Sequence, residues 1–292
     1  TTSKSKGVML STRAISSNVY EITRDIKMKK KDRGIIFSPP AYAMGLSQIL
    51  SFMLFKCSFL IYNSGLRFPN DLKIKIINYK ISILNISVSA FKILFKNFKK
   101  QDRFLNIRLV MAGGMQFSKT DHINYKKKFP NSKIINFYGC TENAPRISHH
   151  HVKSTINYKG IYSVGKALKG VKIKIFNTKN KNKDLGNIYI SGNSLMNGYL
   201  DLDYLNKKKI VNGWFDTGDL GLFDKKKFLY LVGRDDNTFR VGHEKLCPEE
   251  LELEIKKLLK LEEVIVSKIK DNTLGWVPVC VFLKKEKKKI AD

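Results

Sequence analysis

The sequence predicts an α/β fold: a doubly wound, mostly parallel sheet, followed by a small antiparallel β-barrel or sheet and then by a truncated α+β C-terminal subdomain. Over residues 1–159, apolar runs of strand length alternate with helix-like segments, as in parallel sheets with helical crossovers. From residue 160, short strand-like runs lie between turn residues, which favours antiparallel pairing. We therefore expect a partial large domain over 1–232, with its second, β-rich part at 160–232, and a hinge with a partial C-terminal subdomain over 233–292.

Each element follows from the apolar periodicity and from the residues that begin or end it. Ser11 has the side chain of a helix N-cap, and Pro248 suits the start of the last helix. The apolar run 41–66 has the length of a membrane span, but polar side chains such as Lys56 interrupt it. We expect a buried helix and a buried strand there, and no transmembrane segment. The other predicted helices are 12–26, 70–78, 90–97, 118–129 and 249–259, and the predicted strands are 8–10, 34–37, 59–61, 81–88, 107–112, 133–137, 171–175, 187–191, 228–232, 262–270 and 277–283.

The chain is strongly basic. It contains 54 Lys+Arg against 25 Asp+Glu, which gives a formal net charge of +29 over 292 residues. Such a charge would suit a nucleic-acid or anionic-membrane binder. The lysine runs, however, are scattered along the chain and lack the interleaved aromatic residues of a base-stacking surface. The composition therefore favours solvated charge and no specific nucleic-acid partner.

The cysteines and histidines do not form a metal-binding pattern. The four cysteines stand far apart without CxxC spacing, which fits neither a disulfide framework nor a zinc site and predicts a reducing, cytoplasmic location. The histidine run 149–151 has no acid or cysteine near it, so a loop is favoured over a metal patch. The sequence starts at Thr1 rather than Met, so we expect an upstream part and assign no targeting signal.

One stretch, residues 136–142, combines the groups that a nucleotide site needs. An apolar strand leads to Tyr138, whose ring can stack on a base, and Gly139 lets a ligand approach the backbone. Thr141 and Glu142 follow, and they offer a hydroxyl to phosphate and a carboxylate to Mg²⁺. Taken alone, the pattern is also compatible with a strand, a turn and a surface acid.

The opening of the chain is small, rich in hydroxyls and basic. Thr1, Thr2 and Lys6 lie in a loop that is suited to cradling phosphate through hydroxyls, backbone amides and lysine. The loop lacks the paired glycines of a Walker motif, and a flexible terminus is the competing interpretation.

In this order, these segments resemble the adenylate-forming superfamily of acyl-CoA synthetases, luciferases and adenylation domains of peptide synthetases. The resemblance runs nearly from end to end. It departs from the family pattern in five places: Ser3 and Ser5 replace Gly and Pro, Asn187 replaces Glu, Arg240 replaces Lys, and His243 stands where a Gly is common. The matching segments are 1–11 (the second half of the phosphate loop), 136–142 (Tyr-Gly-x-Thr-Glu), 186–199, 214–219 (Thr-Gly-Asp) and 233–252 (the hinge and the start of the C-terminal subdomain).

The resemblance implies ATP-dependent activation of a carboxylic acid to an acyl-adenylate with release of pyrophosphate, then transfer to a thiol, with ATP, Mg²⁺ and CoA as cofactors. Thr141 and Glu142 would be catalytic, Glu142 would be the metal ligand, and Asp236 would be the hinge. Tyr138 would stack on adenine, and Asp219 would accept hydrogen bonds from the ribose hydroxyls. The implied nucleotide-binding residues are Thr1, Thr2, Lys6, Gly114, Met115, Asn136, Tyr138, Gly139, Thr141, Asp219 and Arg234.

For the acyl group, the resemblance points to Tyr42 and Gly113, where a glycine leaves room for an acyl chain. A core position for Tyr42 is equally compatible with the sequence. The Phe-Asp signature of amino-acid-activating members is not visible near Tyr42, which favours a fatty or aryl acid. The adenylation lysine of the family has no counterpart, because the run 284–289 lies too early and is interpreted as solvated charge. Two alternatives remain open: a carrier protein instead of CoA as the acceptor, and a non-catalytic, truncated nucleotide-binding relic.

Overall fold

The computed structural model describes residues 6–64, 68–153, 158–177, 184–241, 244–261, 263–271 and 275–282. Thr1, Thr2 and the run 284–289 lie outside these ranges. The helices are α1 (Thr12–Asp25), α2 (Ala43–Leu54), α3 (Pro69–Asn78), α4 (Val88–Asn97), α5 (Lys119–Lys128), α6 (Asp203–Lys209) and α7 (Pro248–Leu259), with 3₁₀ turns at Thr141–Asn143 and Asp235–Asn237. The strands are β1 (Val8–Met9), β2 (Arg33–Ile36), β3 (Ser58–Ile61), β4 (Ile83–Ser87), β5 (Leu109–Gly113), β6 (Lys133–Gly139), β7 (Arg146–His151), β8 (Lys166–Ala167), β9 (Val171–Asn177), β10 (Gly186–Gly192), β11 (Gly198–Tyr199), β12 (Ile210–Val211), β13 (Trp214–Phe223), β14 (Leu229–Arg234), β15 (Phe239–Val241), β16 (Glu244–Leu246), β17 (Val264–Asp271) and β18 (Gly275–Phe282).

Seven strands form the central sheet in the order β3-β2-β4-β5-β6-β7-β8. The strands from β3 to β6 pair in parallel, whereas β7 is antiparallel to both β6 and β8. Strands β5 and β6 end side by side, with Gly113 opposite Phe137. The predicted mostly parallel sheet is thereby confirmed, and its carboxyl edge is the place where ligands gather in open α/β sheets.

Helices cover both faces of this sheet, which is the doubly wound arrangement. On one face, Ile22 of α1 and Phe52 of α2 are buried in the same core. On the other face, a second core contains Leu72 of α3, Phe91 of α4 and Tyr125 of α5. Each such buried apolar or aromatic side chain contributes about 1.5–3 kcal/mol through burial, so packing rather than helix propensity fixes these helices.

A second, five-stranded antiparallel sheet contains β9, β10, β12, β13 and β14. The long strand β13 pairs with β10, β12 and β14. Ile188 of β10 and Phe215 of β13 belong to the same core as Ile22, so the two sheets are held together by one continuous apolar cluster. Of the two alternatives from the sequence, barrel or sheet, the structure has the sheet.

The C-terminal elements form a small α+β unit. Strands β15 and β16 make a hairpin, and β17 pairs with β18. Leu253 of α7 is buried with Tyr230 and Val232 of β14, so the helix packs on the antiparallel sheet. The domain boundaries at 159/160 and 232/233 stay predictions. In the part of the chain that the structure describes, no helix combines the length and the apolar character needed to cross a membrane.

The histidine run 149–151 is part of strand β7, so the prediction of a loop was wrong. Both His149 and His150 are buried. Nδ1 of His149 lies 2.7 Å from the carboxylate of Asp25, and Nδ1 of His150 lies 2.9 Å from the carbonyl of Ser163. The acid partner comes from α1, 124 residues away in sequence, which is why no local pattern reveals it. Among the described residues, no group of three or more His, Cys, Asp or Glu side chains is arranged to hold a metal ion.

Candidate functional site

A cleft of about 1600 Å³ opens at the carboxyl ends of β5 and β6. Its opposite wall includes Leu253 of α7 and Ile265 of β17, so the C-terminal unit faces the central sheet across it. The volume exceeds the roughly 300–1,000 Å³ of a usual small-molecule pocket, which leaves room for two substrates at once. The predicted site residues that line it are Tyr42, Gly113, Gly114, Met115, Tyr138, Gly139, Thr141, Asp219 and Arg234.

Tyr138, at the end of β6, joins the two sheets. Its hydroxyl donates to Oδ2 of Asp219 on β13 over 2.5 Å. The ring is only 5% exposed. Burial first, and the negative charge of Asp219 second, raise the pKa of Tyr138 well above its usual value. The phenol therefore stays protonated and acts as a donor toward the carboxylate.

Arg234, at the end of β14, connects the cleft to the segment that leads into the C-terminal unit. Its Nη1 donates to Oδ1 of Asp219 at 2.8 Å, and its Nη2 donates to Oδ2 of Asp236 at 3.0 Å. Burial lowers the pKa of Arg234, but the two carboxylates outweigh it and raise that pKa above its ordinary value. One guanidinium thus neutralises an acid of the cleft and the acid predicted as the hinge.

Glu142 does not line the cleft directly; it lies just beyond Thr141, in the 3₁₀ turn after β6. The hydroxyl of Tyr199 donates to Oε1 of Glu142 at 2.7 Å. Strand β1 pairs with β11, with Val8 opposite Tyr199, and this pairing brings Nζ of Lys6 to 5.5 Å from the centre of the Tyr199 ring. A lysine near the start of the chain and a carboxylate 136 residues later are therefore separated by one tyrosine.

The space beside Gly113 is already filled. A Cβ built on Gly113 would lie 2.5 Å from the ring of Phe137, closer than side chains approach each other. The glycine therefore makes room for Phe137, and the expectation that it leaves room for an acyl chain needs this correction. Gly114 has a φ of +82°, which favours glycine, while Met115 and Tyr42 are 54% and 65% exposed along the cleft.

Asn136 lies away from the cleft, contrary to the expectation that its side chain surrounds a base. It precedes Tyr138 by two residues on β6, and its side chain is fully buried. Its Nδ2 donates to the carbonyl of Ser163 at 2.8 Å. The amide thus ties the sheet to the segment before β8, and this interior contact removes it from the set that faces the cleft.

Arg146, the first residue of β7, also lines the cleft, although the sequence does not predict it as a site residue. It is 1% exposed, and burial lowers the pKa of its guanidinium to about 9. Only Ile147 is apolar in Arg146–His151, so no alternating pattern marks the segment as a buried strand. The one available signal is its position, four residues after Glu142.

These features define a class of protein: an α/β chain with a large cleft at the carboxyl edge of its parallel sheet, walled on one side by a small α+β unit. The sequence profile of the family described as AMP-binding enzyme matches residues 1–200, which is more than half of the chain. The chain belongs to this family, as its resemblance to adenylate-forming enzymes predicted.

Individual relatives agree with this assignment. The chain is 31% identical over 208 residues to a 2-succinylbenzoate–CoA ligase of Listeria monocytogenes, a match that covers 71% of this chain and 42% of the relative. The solved o-succinylbenzoate CoA synthetase of Bacillus subtilis, in complex with the acyl-adenylate intermediate, superposes with a TM-score of 0.80 at 23% identity over 96% of this chain and 56% of that one. The same synthetase with ATP and a magnesium ion gives a TM-score of 0.78 at 23% identity, covering 96% of this chain and 57% of that one. The chain spans about half the length of the relatives that it matches.

Proposed function

We propose that the full-length protein is an AMP-forming acid–CoA ligase that activates an aromatic carboxylic acid. The acid would attack the α-phosphate of ATP to give an acyl-adenylate and pyrophosphate, and the CoA thiol would then displace AMP to give a thioester. One observation carries the proposal: Tyr138, Thr141, Asp219 and Arg234 line a single cleft. Membership of the AMP-binding enzyme family supports it.

The adenosine would bind at the end of β6. The ring of Tyr138 would stack on the base, an interaction worth about 1–3 kcal/mol, with Gly114, Met115 and Gly139 beside it. Asp219 would accept hydrogen bonds from the ribose hydroxyls. A carboxylate has about four lone-pair positions, and Tyr138 and Arg234 use one on each oxygen, so acceptor capacity is left for the sugar.

The phosphates would lie between the 3₁₀ turn and the start of the chain. The hydroxyl of Thr141 would contact the α-phosphate, and the guanidinium of Arg234 would contribute positive charge near the ribose and phosphates. Lys6, together with Thr1 and Thr2, would hold the terminal phosphates. The position of Lys6 beside Tyr199 supports this direction, because it sets the cation on the Glu142 side of the cleft.

Glu142 fits a magnesium ion that is shared with a nucleotide. Mg²⁺ commonly binds one or two carboxylates and takes its remaining ligands from phosphates and water, so a cage of several acids is not required. When bound, the ion would reduce the repulsion between the two anions that must meet. The hydrogen bond from Tyr199 would orient Oε1 of Glu142, as outer partners of metal ligands usually do.

An aromatic acid is favoured over a fatty acid as the substrate. The relatives reported above act, by their names, on 2-succinylbenzoate, an aromatic acid. In this chain, Tyr42 lines the cleft and is 65% exposed, so its ring offers a surface suited to stacking on an aromatic acid.

CoA is favoured over a carrier protein as the acceptor for the same reason, since both relatives are named as CoA ligases or synthetases. Asp236, which follows the last strand of the antiparallel sheet, would be the hinge about which the C-terminal unit reorients between the two half-reactions. Its ion pair with Arg234 would hold one of the two orientations.

Pyrophosphate exchange tests the first half-reaction. The full-length protein would be incubated with ATP, Mg²⁺, labelled pyrophosphate and one of three acids: 2-succinylbenzoate, benzoate or decanoate. We expect exchange with an aromatic acid that is abolished in Asp219→Asn but retained in Asp201→Asn, which changes an exposed acid. ATP binding without exchange for any of the acids would contradict the proposal.

A further inference from the structure

Many basic residues of the chain are gathered at the edge of the central sheet that lies opposite the cleft. Strands β2 to β6 are parallel, so the cleft lies at their carboxyl ends and the five helix-to-strand connections lie at their amino ends. The lysine runs at 29–31 and 126–128, which are far apart in the sequence, thereby reach the same edge. The connections with their flanking residues are 26–33, 55–58, 79–82, 98–108 and 126–133, which we call the amino-edge surface.

Hydrogen bonds between these five segments join them into one surface. Each of the bonds runs from a side chain of one segment to a backbone carbonyl of another, so the relative positions of the segments are fixed. The donor and acceptor residues are Cys57 to Lys29 at 3.1 Å, Arg33 to Tyr79 at 3.4 Å, Arg108 to Lys27 at 3.3 Å and Lys128 to Lys99 at 2.6 Å.

The charge of the amino-edge surface is positive throughout. Thirteen lysine and arginine side chains of its segments are exposed. The two acids of the same segments, Asp32 and Asp102, are both buried, and they pair with Arg108 and with Lys73 of α3. In these segments, all of which the structure describes, no exposed acid therefore offsets the positive charge. Crowded like charges repel one another, and a polyanionic partner would relieve this repulsion.

Large apolar side chains are exposed at the same edge. Met53 and Leu54 end α2, Tyr79 follows α3, and Leu105 lies between α4 and β5; these four side chains are between 48% and 61% exposed. Aliphatic side chains among lysines suit a bilayer, because they enter the acyl boundary while the ammonium groups stay among the headgroups. Tyr79 is the one exposed aromatic residue of the five segments, which is too few to stack successive bases of a nucleic acid.

We propose that the amino-edge surface docks the protein on an anionic phospholipid bilayer. Each lysine or arginine near such a bilayer strengthens binding by roughly fivefold, and the exposed apolar side chains add contacts at the headgroup level. Docking of this kind is peripheral and needs no membrane-spanning helix. The cleft would face away from the bilayer and stay open to solvent, so docking does not depend on the reaction that the cleft performs.

Vesicle flotation of the full-length protein tests the docking. The vesicles contain either phosphatidylcholine alone or equal parts of phosphatidylcholine and phosphatidylglycerol, at about 0.15 M salt, where charge interactions reach only about 8 Å. A duplex DNA and a single-stranded RNA oligonucleotide are titrated at the same salt concentration, as polyanions without an apolar phase. Urea unfolding of each variant verifies that it is folded.

Two variants, each with a matched control, distinguish the contribution of charge from that of apolar contact. The charge variant changes exposed lysines of the amino-edge surface, and its control makes the same change on α6 and between β13 and β14. The apolar variant changes exposed leucines at the amino edge, and its control changes exposed leucines of α7. In that order, the substitutions are Lys30→Gln, Lys99→Gln and Lys100→Gln; Lys207→Gln, Lys208→Gln and Lys225→Gln; Leu54→Gln and Leu105→Gln; and Leu258→Gln and Leu259→Gln.

We expect the wild type to float with the phosphatidylglycerol vesicles and not with phosphatidylcholine alone. The charge variant should bind the anionic vesicles about a hundredfold more weakly, because three basic side chains are lost. The apolar variant should also bind these vesicles more weakly, while any binding to the oligonucleotides should stay unchanged. Both controls should bind the vesicles as the wild type does.

A wild type that does not float with the anionic vesicles would overturn the proposal. So would a charge control that loses as much affinity as the charge variant, since net charge and not this surface would then decide binding. Tighter binding to an oligonucleotide than to the anionic vesicles, lost in the charge variant and kept in the apolar variant, would also overturn it and assign the surface to a nucleic acid.

Discussion

The hydroxyl of Tyr138 and the carboxylate of Asp219 meet at 2.5 Å across the junction of the two sheets. Tyr138 ends a strand of the parallel sheet, and Asp219 lies within the longest strand of the antiparallel sheet. Their contact fixes an aromatic ring next to an acid at the edge of the cleft, the pairing on which the proposed recognition of adenosine depends.

Replacing Tyr138 by phenylalanine separates the ring from the hydroxyl. The ring and its stacking are kept, while a buried hydrogen bond to a charged acceptor is lost, so we expect the free energy of unfolding to fall by about 1.5–3 kcal/mol. AMP affinity should change little compared with Tyr138→Ala, which removes the stacking surface. Urea unfolding and calorimetry measure the two quantities, with Tyr204→Phe, 79% exposed, as the control. Equal AMP affinity in the phenylalanine and alanine variants would remove the stacking role.

Neutralising Asp219 should impair nucleotide binding more than stability. In Asp219→Asn, the ion pair with the 45%-exposed Arg234 weakens, and exposed pairs contribute only about 0–1 kcal/mol. The amide oxygen of asparagine can still accept the hydrogen bond from the hydroxyl of Tyr138. The acceptor for the ribose hydroxyls is lost as well, so we expect AMP affinity to drop about tenfold or more. Titration of AMP and of 2′,3′-dideoxy-AMP shows whether the lost affinity comes from the ribose hydroxyls. The variant should bind both ligands equally, whereas the wild type should prefer AMP. A wild type without that preference would refute the ribose contact.

Glu142 should set the magnesium requirement. In Glu142→Gln, the Mg²⁺ concentration that half-saturates pyrophosphate exchange should rise by roughly tenfold or more, and Tyr199→Phe should shift it in the same direction, because it frees the carboxylate to rotate. The control Glu263→Gln makes the same charge change elsewhere along the cleft and should leave the Mg²⁺ dependence unaltered. An unchanged requirement in Glu142→Gln would exclude the residue as the ligand.

The Asp25–His149 pair should make stability depend on pH. Burial lowers the pKa of His149 to about 4, although the hydrogen bond that His149 donates to Asp25 opposes this. An unfolded histidine takes up its proton near pH 6.5, so between about pH 6.5 and 4 the unfolded state binds more protons, and stability falls as the pH falls. We expect a loss of about 2–3 kcal/mol from this group between pH 7 and 4.5.

The variant His149→Asn tests this origin, because an amide can donate to Asp25 without titrating. Its urea-unfolding free energy should vary less between pH 7 and 4.5 than that of the wild type. The control His151→Gln changes a half-exposed ring that contacts the same acid, and it should keep most of the wild-type slope. A slope in His149→Asn equal to that of the wild type would assign the pH dependence to other groups. Asp25, whose pKa is lowered because its hydrogen bonds to His149 and His151 outweigh the effect of burial, contributes stability that is lost only at still lower pH.

Much of the fold could be predicted because its signals are local. The strand leading to Tyr138, the Ser11 cap of α1 and the alternation of helices and strands all appear in short windows of sequence, and the structure has each of them. Strand β7 could not be predicted in this way. Its side chains are mostly polar, and residues distant in sequence supply the partners: Asp25 of α1 bonds His149 and the carbonyl of Ser163 bonds His150, while Asn18 bonds the backbone of Arg146.

The candidate site also combines features that local sequence predicts with features that depend on three-dimensional packing. The motif around Tyr138 and the motif around Asp219 could each be found in the sequence, but their direct contact depends on how two sheets pack. Arg146, whose Nε and Nη1 have no hydrogen-bond partner among the described residues, has no sequence signature, since a missing partner is a property of the three-dimensional surroundings. Asn136 is the opposite case. It lies inside a recognisable motif, so the sequence predicts that it contacts the ligand, but its side-chain amide bonds the carbonyl of Ser163 instead.

The two simultaneous ion pairs of Arg234, with Asp219 and with Asp236, restrict which substitutions this protein can accept during evolution. A replacement of Arg234 would break both contacts together. A substitution at one of the two acids therefore cannot be compensated at Arg234 without changing the contact with the other acid. The three positions should therefore vary as a unit or not at all among descendants of this gene.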